Sequence, residues 1–223
     1  MSRLARALSL KYGDVADCNL SASTITRWRH ATLPQPNQSE IDIALAEFDL
    51  VEAKTVKRAA LSSLLKDKIA LGWVYNTKTY QCHDFHATNM DRFMNAYNYF
   101  WATVPTWATA TAYSIGDIRR EVRVFYRCAE AHTSGTFATD LAAGKWVIWY
   151  FHPKKGGDGK WRDLANAMNA LTTEQVKTMC EGALNYNMSC QAQTVVHKDA
   201  INALGTVTLV NAYDMTTGWP ANS

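Results

Sequence analysis

Two long segments with helical spacing, one on each side of a region with many short strand-like runs and turns, most strongly limit what this chain can fold into. In the first, Ser39–Leu71, apolar residues recur about every three to four positions, and Gly72 follows as a helix-ending glycine would. The second, Thr172–Leu204, opens on a Thr172–Gln175 capping pattern. At about 1.5 Å of rise per residue this helix is about 45 Å long. Because long helices often pack against copies of themselves, the sequence favours a homo-oligomer that associates through its helices.

The region between these helices predicts short strands and one further helix. Trp73–Tyr75 and Thr79–Cys82 flank an Asn-containing turn, which is typical of a β-hairpin. Thr88–Trp101 has helical spacing, with Phe93, Tyr97 and Trp101 on one face. From Trp107 to Trp146 the pattern changes to short strands and polar turns. The sequence therefore predicts an α+β fold: a host domain of helices with a β-hairpin, and a small inserted all-β module.

The predicted domain boundaries follow from these changes of pattern. Residues 1–48 are expected to form an irregular N-terminal arm, with a strand-like segment at Ile25–His30 and a short helix at its end, that serves attachment and assembly. The host domain comprises residues 49–104 and 150–205, and the module comprises residues 105–149. Residues 206–223 are expected to form a C-terminal strand, at Thr206–Val210, and a tail.

Composition excludes several classes of protein. The net charge of +3 is small and its basic residues are dispersed, so we expect no nucleic-acid partner. The apolar runs are too short for a membrane span, and no secretory signal is visible, so we expect no membrane insertion. Five scattered cysteines favour free, mostly buried thiols made in a reducing cytoplasm, with an inter-subunit disulfide as the alternative.

The segment Trp107–Trp146 carries the most specific pattern in the chain. It holds Tyr113-Ser-Ile-Gly-Asp117, Val124-Phe-Tyr-Arg-Cys128, Ala131-His-Thr-Ser-Gly135, and then Phe137, Asp140, Leu141 and Lys145-Trp146. This pattern resembles the minimal chitin-type carbohydrate-binding modules of families five and twelve. The variant with an Ala-His-Thr-Ser stretch is common in bacteriophage tail and tail-fibre proteins. The resemblance therefore implies an inserted carbohydrate-binding module in a virion protein.

The flanking segments resemble a domain of unknown function that recurs in phage tail-fibre and tail-assembly proteins. The resemblance rests on Ala70–Asn76, Tyr80, the Thr88–Trp101 helix and the run from Leu171 to Leu204, in that order. It covers roughly half of the chain and implies a tail-type structural protein. A module whose two chain ends lie close together can be inserted into another domain without disturbing its fold.

Strand alternation sorts the residues of the module into core and surface. Trp107, Tyr126 and Trp146 are large enough to fill a miniature core. With Tyr126 inside, Phe125 and Arg127 point outward, because neighbouring residues of a strand face opposite sides. An exposed ring beside guanidinium groups would suit an anionic or acetylated glycan. The predicted carbohydrate-binding residues are Phe125, Tyr113, Arg127, Arg123, Arg119, His132 and Thr133.

Two kinds of feature limit this interpretation: a loop that departs from the family pattern, and side chains that could bind a metal or act in catalysis. The resemblance leads us to expect a glycine-containing turn near residues 121–123, where this chain has Glu121-Val-Arg123. The run Cys82-His-Asp-Phe-His86 has metal-capable side chains but no second ligand pair at zinc-site spacing, so we expect neither metal nor cofactor. We expect His132 to fix its turn by hydrogen bonds rather than to act in catalysis, and the sequence predicts no enzyme.

These patterns predict a non-enzymatic structural protein of a phage tail, fibre or decoration apparatus. Its partners would be other tail proteins, further copies of itself and host-surface glycan, which the module would contact during host attachment. It would reside in the virion tail, and in the host cytoplasm during assembly. One alternative is an assembly adaptor whose module makes only protein contacts. A more distant one is the accessory binding module of a polysaccharide-degrading enzyme.

Overall fold

The elements of the chain, taken from a computed structural model, confirm the predicted α+β class. The structure describes residues 2–13, 19–20, 25–28, 32–82, 84–122, 124–149, 160–165 and 167–223. The first elements in chain order are α1 (Arg3–Tyr12), β1 (Asn19–Leu20), β2 (Ile25–Arg27), α2 (Gln38–Ala70), β3 (Trp73–Tyr75), β4 (Lys78–Tyr80) and α3 (Asp84–Thr103).

The remaining elements begin with the predicted module. They are β5 (Ala112–Tyr113), β6 (Ile118–Glu121), β7 (Val124–Cys128), β8 (His132–Thr133), α4 (Phe137–Ala142), β9 (Trp146–Ile148), β10 (Lys160–Arg162), β11 (Met168–Ala170), α5 (Thr173–Ala203) and α6 (Val207–Ala212). All strand pairs are antiparallel among the described residues. None of the helices in the described part of the chain has the length and apolar character needed to cross a membrane.

Two compact units divide the chain. The first comprises residues 1–65 and 193–218, and the second comprises residues 66–192 and 219–223. The boundaries fall within α2 and α5, so each long helix contributes to both units. The module at residues 105–149 belongs to the second unit, together with α3, and is not a unit of its own.

In the first unit, α1 packs against the beginning of α2. Leu4 and Leu8 of α1 join Ile41 and Ala44 of α2 in one buried cluster. The prediction of an irregular arm is therefore wrong for Arg3–Tyr12, because apolar residues at helical spacing give this segment a face that α2 can bury. Ion pairs also link the two helices: Arg3 with Asp49, Arg6 with Glu52 at 3.0 Å, and Lys11 with Glu47 at 3.1 Å.

The end of the first unit is a helix and not the predicted strand at Thr206–Val210. The Thr206 hydroxyl accepts the backbone N–H of Leu209, which is the bond of an N-cap, and Val210 is fully buried. The chain after α6 is held by His197, which is 3% exposed. Its Nδ1 lies 2.8 Å from the Tyr213 hydroxyl and its Nε2 donates to the carbonyl of Thr217 at 3.1 Å.

Three of the four ends of the long helices are as predicted, and α2 begins slightly earlier. At α2, Asn37 and Glu40 form a reciprocal capping box, two residues before the predicted Ser39 start. Gly72 follows α2 with a φ of +74°, the conformation that favours glycine after a helix. The predicted Thr172–Gln175 capping box is present at α5. The hairpin β3–β4 is also confirmed, with Asn76 and Thr77 both at positive φ as in a type I′ turn.

In the second unit, α5 contacts the β3–β4 hairpin at very short range. The indole of Trp73 lies on Gly182, where a Cβ atom would overlap the ring. Two side chains of α5 then bind backbone carbonyls: Tyr186 Oη donates to Lys68 at 2.7 Å, and Asn187 Nδ2 donates to Cys82 at 2.6 Å. Because each bond joins one side chain of α5 to one particular backbone carbonyl, the two bonds fix how α5 lies along this part of the chain.

The module combines strands with one short helix. Strands β6, β7 and β9 form a sheet with β7 in the centre, and β5 pairs with β8. The prediction of an all-β module missed α4, because Phe137–Ala142 is too short for a helical period to stand out. Thr136 caps this helix by accepting the N–H of Thr139, and Phe137 packs into the core of the module.

We expect Gly182→Ala to lower the free energy of unfolding by about 1–3 kcal/mol, because the new methyl group must displace the Trp73 ring. Alanine otherwise stabilises a helix by about 1 kcal/mol relative to glycine, so the sign of the effect reports the contact. Urea denaturation followed by circular dichroism measures it. Gly205→Ala is the control, since a Cβ there has no heavy atom within 4 Å. An unchanged midpoint for Gly182→Ala would contradict the packing.

Candidate functional site

The central strand of the module, β7, has covered side chains on both of its faces. Tyr126 lies on one face, where its ring centroid is 4.8 Å from that of Phe137. Phe125 lies on the other face and is 1% exposed. The predicted alternation of these two residues is present. The prediction that the Phe125 face is open to solvent is wrong.

Phe125 is buried because aromatic residues of the host cover it. Its ring is perpendicular to those of Tyr97 and Trp101 on α3, with centroids 6.0 Å away in each case. Trp149, just after β9, makes a third perpendicular contact at 6.3 Å. Edge-to-face packing of this kind is favourable beyond the area that it buries. The sheet of the module is therefore attached to α3 through this ring.

Tyr113, the second predicted surface ring, is also buried, at 3% exposure. Its centroid is 4.9 Å from that of Trp146, and its hydroxyl both accepts the N–H of Ala108 at 2.8 Å and donates to the carbonyl of Ala108 at 3.1 Å. The prediction of a surface position is wrong because these two backbone bonds satisfy the hydroxyl inside the module.

The predicted core residues do pack together. Trp146 is 2% exposed and forms the buried cluster with Tyr113 and Cys128. Trp107 and Tyr126 are partly buried against that cluster. The three large rings assigned to the core of the module are thus confirmed in that role.

The predicted group of arginines around an exposed ring is not formed. Arg119 is paired with Tyr126 across the ladder and lies over the ring of Tyr113, with Cζ 5.0 Å from its centroid. Arg120, which neighbours it, lies over Trp101 at 4.7 Å. Arg127 is exposed, but no open ring accompanies it because Phe125 is buried. Arg123 lies outside the described residues.

The two predicted binding residues of the Ala131–Gly135 turn, Thr133 and His132, differ in exposure. Thr133 is exposed. The side chain of His132 is 4% exposed, and its Nδ1 lies 2.7 Å from the carbonyl oxygen of Glu130. A carbonyl can only accept, so Nδ1 carries the proton. Nε2 faces Oδ2 of the buried Asp140 at 3.5 Å. His132 therefore fixes this turn, and it is not available to a ligand at the surface.

Cys128, His132 and Asp140 have the residue types of a nucleophile, a base and an orienting acid. Cys128 Sγ is 3.8 Å from His132 Nδ1, but that nitrogen already donates to Glu130 and cannot take the proton of the thiol. The thiol itself donates to the same carbonyl at 3.0 Å, and burial raises its pKa. A neutral, fully buried thiol is not an activated nucleophile. In this geometry, Cys128, His132 and Asp140 stabilise the fold of the module.

The run Cys82–His86 shows no metal centre in its described part. His83 lies outside the described residues, and the side chains of residues 84–86 are not described. Cys82 is buried and donates to the carbonyl of Tyr80 at 3.5 Å. Over the described ranges of the chain, no three metal-capable side chains are placed so that they could hold a metal ion together.

A cleft that sequence reasoning missed lies between α3 and α5. Its volume is about 280 Å³, and its lining consists of Tyr97, Asn98, Trp101, Glu174 and Lys177. The sequence placed two of these rings on the buried face of a helix and gave no signal that the beginning of α5 would lie beside them. Only the fold brings the two segments together.

Hydrogen bonds hold three of the polar groups that line this cleft: those of Tyr97, Glu174 and Lys177. Tyr97 donates from its hydroxyl to Glu174 Oε2 at 2.8 Å. Lys177 Nζ lies 5.8 Å from the Tyr97 centroid and donates to both carboxylate oxygens of Glu181 at 2.8 Å. Asn98 is exposed at the edge. The rings of Tyr97 and Trp101 are nearly parallel, at 9° and 5.9 Å.

Comparison of the chain with models of protein families, with curated proteins and with solved structures gives no match.

We expect Phe125→Ala to destabilise the chain by about 3–5 kcal/mol, because it removes the ring that three host and module aromatics enclose. Chemical denaturation measures the change. The control is Tyr99→Ala on α3, whose ring is 63% exposed and whose loss should change stability by less than about 0.5 kcal/mol. If Phe125→Ala were as stable as Tyr99→Ala, the ring would be a surface residue after all.

The buried thiols should resist alkylation in the folded chain. Burial raises the pKa of Cys82 to about 12 and raises those of Cys128, Cys180 and Cys190. A raised pKa leaves the thiol neutral at pH 8, and only the thiolate attacks iodoacetamide. We expect labelling of Cys82 to be at least about 100-fold slower in the folded chain than in urea, and labelling of the other three to be slowed as well, measured by peptide mass spectrometry. Equal rates at Cys128 would show an accessible thiolate.

Proposed function

We propose that this chain is a non-catalytic structural subunit of a phage-type tail or tail fibre, and that its module is an assembly element. Two observations support the proposal. The resemblance of Trp107–Trp146 and of the flanking helices to tail proteins supports the class of particle. The burial of Phe125 at 1% exposure supports a module that makes protein contacts.

The contacts of Phe125 carry the second part of the proposal. An outward-facing glycan site on the module requires a ring that a sugar can stack on. Phe125 and Tyr113, the rings predicted for that purpose, face the host helix and the interior of the module. The exposed members of the predicted set, Arg127 and Thr133, can form hydrogen bonds but offer no stacking surface. The adaptor alternative is therefore favoured over glycan binding at these residues.

Self-association through the helices is part of the same proposal. In the first unit, the exposed side chains include four valines on the long helices: Val51 and Val56 on α2, and Val195 and Val196 on α5, each at least 45% exposed. Apolar side chains that are exposed along a helix favour contact with another surface. Further copies of the chain and other tail proteins are the proposed partners.

The proposal places the chain in virion tails, with the host cytoplasm as the site of assembly. Antibodies against the purified chain should detect it in particles banded on a density gradient, from a culture whose phage carries the gene. Light scattering should give the purified chain a mass above that of one copy. A chain that is abundant in the lysate but absent from intact, purified particles would contradict the structural role, and a monomer at all concentrations would contradict self-association.

A further inference from the structure

The two faces of the β6–β7–β9 sheet carry different charges. Residues that pair across a ladder lie on the same face, and so do residues two positions apart in one strand. Arg120 pairs with Phe125, and Arg127, two residues after Phe125, pairs with Val147. Lys145 lies two residues before Val147, and its carbonyl continues the ladder by accepting an N–H from the segment after β7 at 2.8 Å. Arg120, Arg127 and Lys145 therefore share one face, called the basic face below.

The three cations of the basic face have no counter-ion in the described part of the chain, where none of the ion pairs includes them. The nearby carboxylates belong to the opposite face of the sheet. Asp117 lies 3.9 Å from Arg119, which pairs with Tyr126 on that face. Burial, and then the nearby carboxylate of Glu121, raises the pKa of Tyr126. The basic face thus gathers positive charges that the described fold leaves uncompensated.

Arg120 is positioned by the host helix and yet lacks an acceptor. Its Cζ lies 4.7 Å from the centroid of Trp101 on α3. Its Nε is enclosed, with no hydrogen-bond partner among the described residues. Stacking on a ring fixes the plane of a guanidinium group and leaves the donors along its edge available. The outer N–H groups of the half-buried Arg120 are therefore held in place for an acceptor from outside the chain.

We propose that the basic face binds an acidic surface of another protein subunit, an inference that rests on the proposed role of the module as an assembly element. Arg127 is a diagonal neighbour of both Arg120 and Lys145, with Cβ atoms about 7–8 Å apart in each case, so a small group of carboxylates can contact all three. Guanidinium groups match carboxylates in charge and in hydrogen-bond geometry.

A protein partner fits this face better than a nucleic acid or an acidic polysaccharide does. Val147, directly across from the exposed Arg127, is 41% exposed, and arginine beside apolar side chains is typical of protein interfaces. Nucleic-acid binding relies on many phosphate contacts, whereas this face offers three cations. A sugar needs a ring that it can stack on, and Phe125 in the middle of the face is 1% exposed.

Charge reversal in the full-length chain tests the proposal. Each variant is supplied to a phage whose own copy of the gene is disrupted, and antibodies measure the chain in particles banded on a density gradient. We expect Arg127→Glu to lower incorporation at least about tenfold, because it places a carboxylate against those of the partner. Arg92→Glu, at an exposed arginine of α3, is the matched control and should be incorporated as the parent is. Circular dichroism checks that both variants fold.

Cross-linking of intact particles identifies the chemistry of the partner. A water-soluble carbodiimide joins an amine directly to a carboxylate. We expect peptide mass spectrometry to find the Lys145 amine joined to an aspartate or glutamate of another polypeptide. Lys145→Arg keeps the positive charge, so it should abolish this cross-link and leave incorporation unchanged.

Three results would overturn the inference while the parent chain is still found in particles. They are equal incorporation of Arg127→Glu and Arg92→Glu, the absence of any cross-link from Lys145 to another polypeptide, and normal incorporation of Arg127→Glu with lost adsorption to host cells. The last result would assign the basic face to an acidic host glycan. If the parent chain itself is absent from particles, the structural role fails and this inference falls with it.

Discussion

The second unit depends on the burial of strand β7 from both sides. On one face Tyr126 packs against Phe137 and the core of the module, and on the other Phe125 is enclosed by aromatic residues from α3 and from the end of β9. A β-module of this size can bury only a small core by itself, so contact with a helix supplies apolar burial that it would otherwise lack. The module is thus stabilised by its contact with α3, and a fragment of residues 105–149 would expose Phe125 to water.

The polar contacts of this unit have a different role from the aromatic ones. Asn187 and Tyr186 of α5 bind the carbonyls of Cys82 and Lys68, and in the module Tyr113 binds both backbone groups of Ala108. Each contributes only about 1 kcal/mol net, but an unpaired buried carbonyl costs more than that. Such bonds therefore select one alignment of the segments, whereas the rings supply most of the burial energy. His132 and Asp140 likewise bind backbone groups of their turn, namely the carbonyl of Glu130 and the N–H of Gly135.

The sequence correctly predicted the elements that are determined by residues close together in the chain. The helices α2 and α5, the capping box at Thr172, the glycine after α2 and the β3–β4 hairpin all follow from local spacing and are present. Strand alternation also separated Phe125 from Tyr126 correctly. It could not show that α3 would cover the Phe125 face, since contacts between distant segments leave no periodic pattern. The helices α4 and α6 were missed because each has only six residues. The helix α1 was missed although Leu4, Ala7 and Leu8 have the spacing of a helix face.

The cleft was not predicted for the same reason, since it is formed by segments that are distant in the sequence. It is also coupled to the packing of the module against α3. Trp101 contributes to both: it packs against Phe125 and lines the cleft beside Asn98. Helical spacing identified it as an inward-facing residue, which is correct for the part of the ring that meets the module. Trp101 is partly exposed and lines the cleft together with Glu174, which accepts the hydroxyl of Tyr97. Any change that loosens Phe125 would therefore also disturb the cleft, because Trp101 belongs to both.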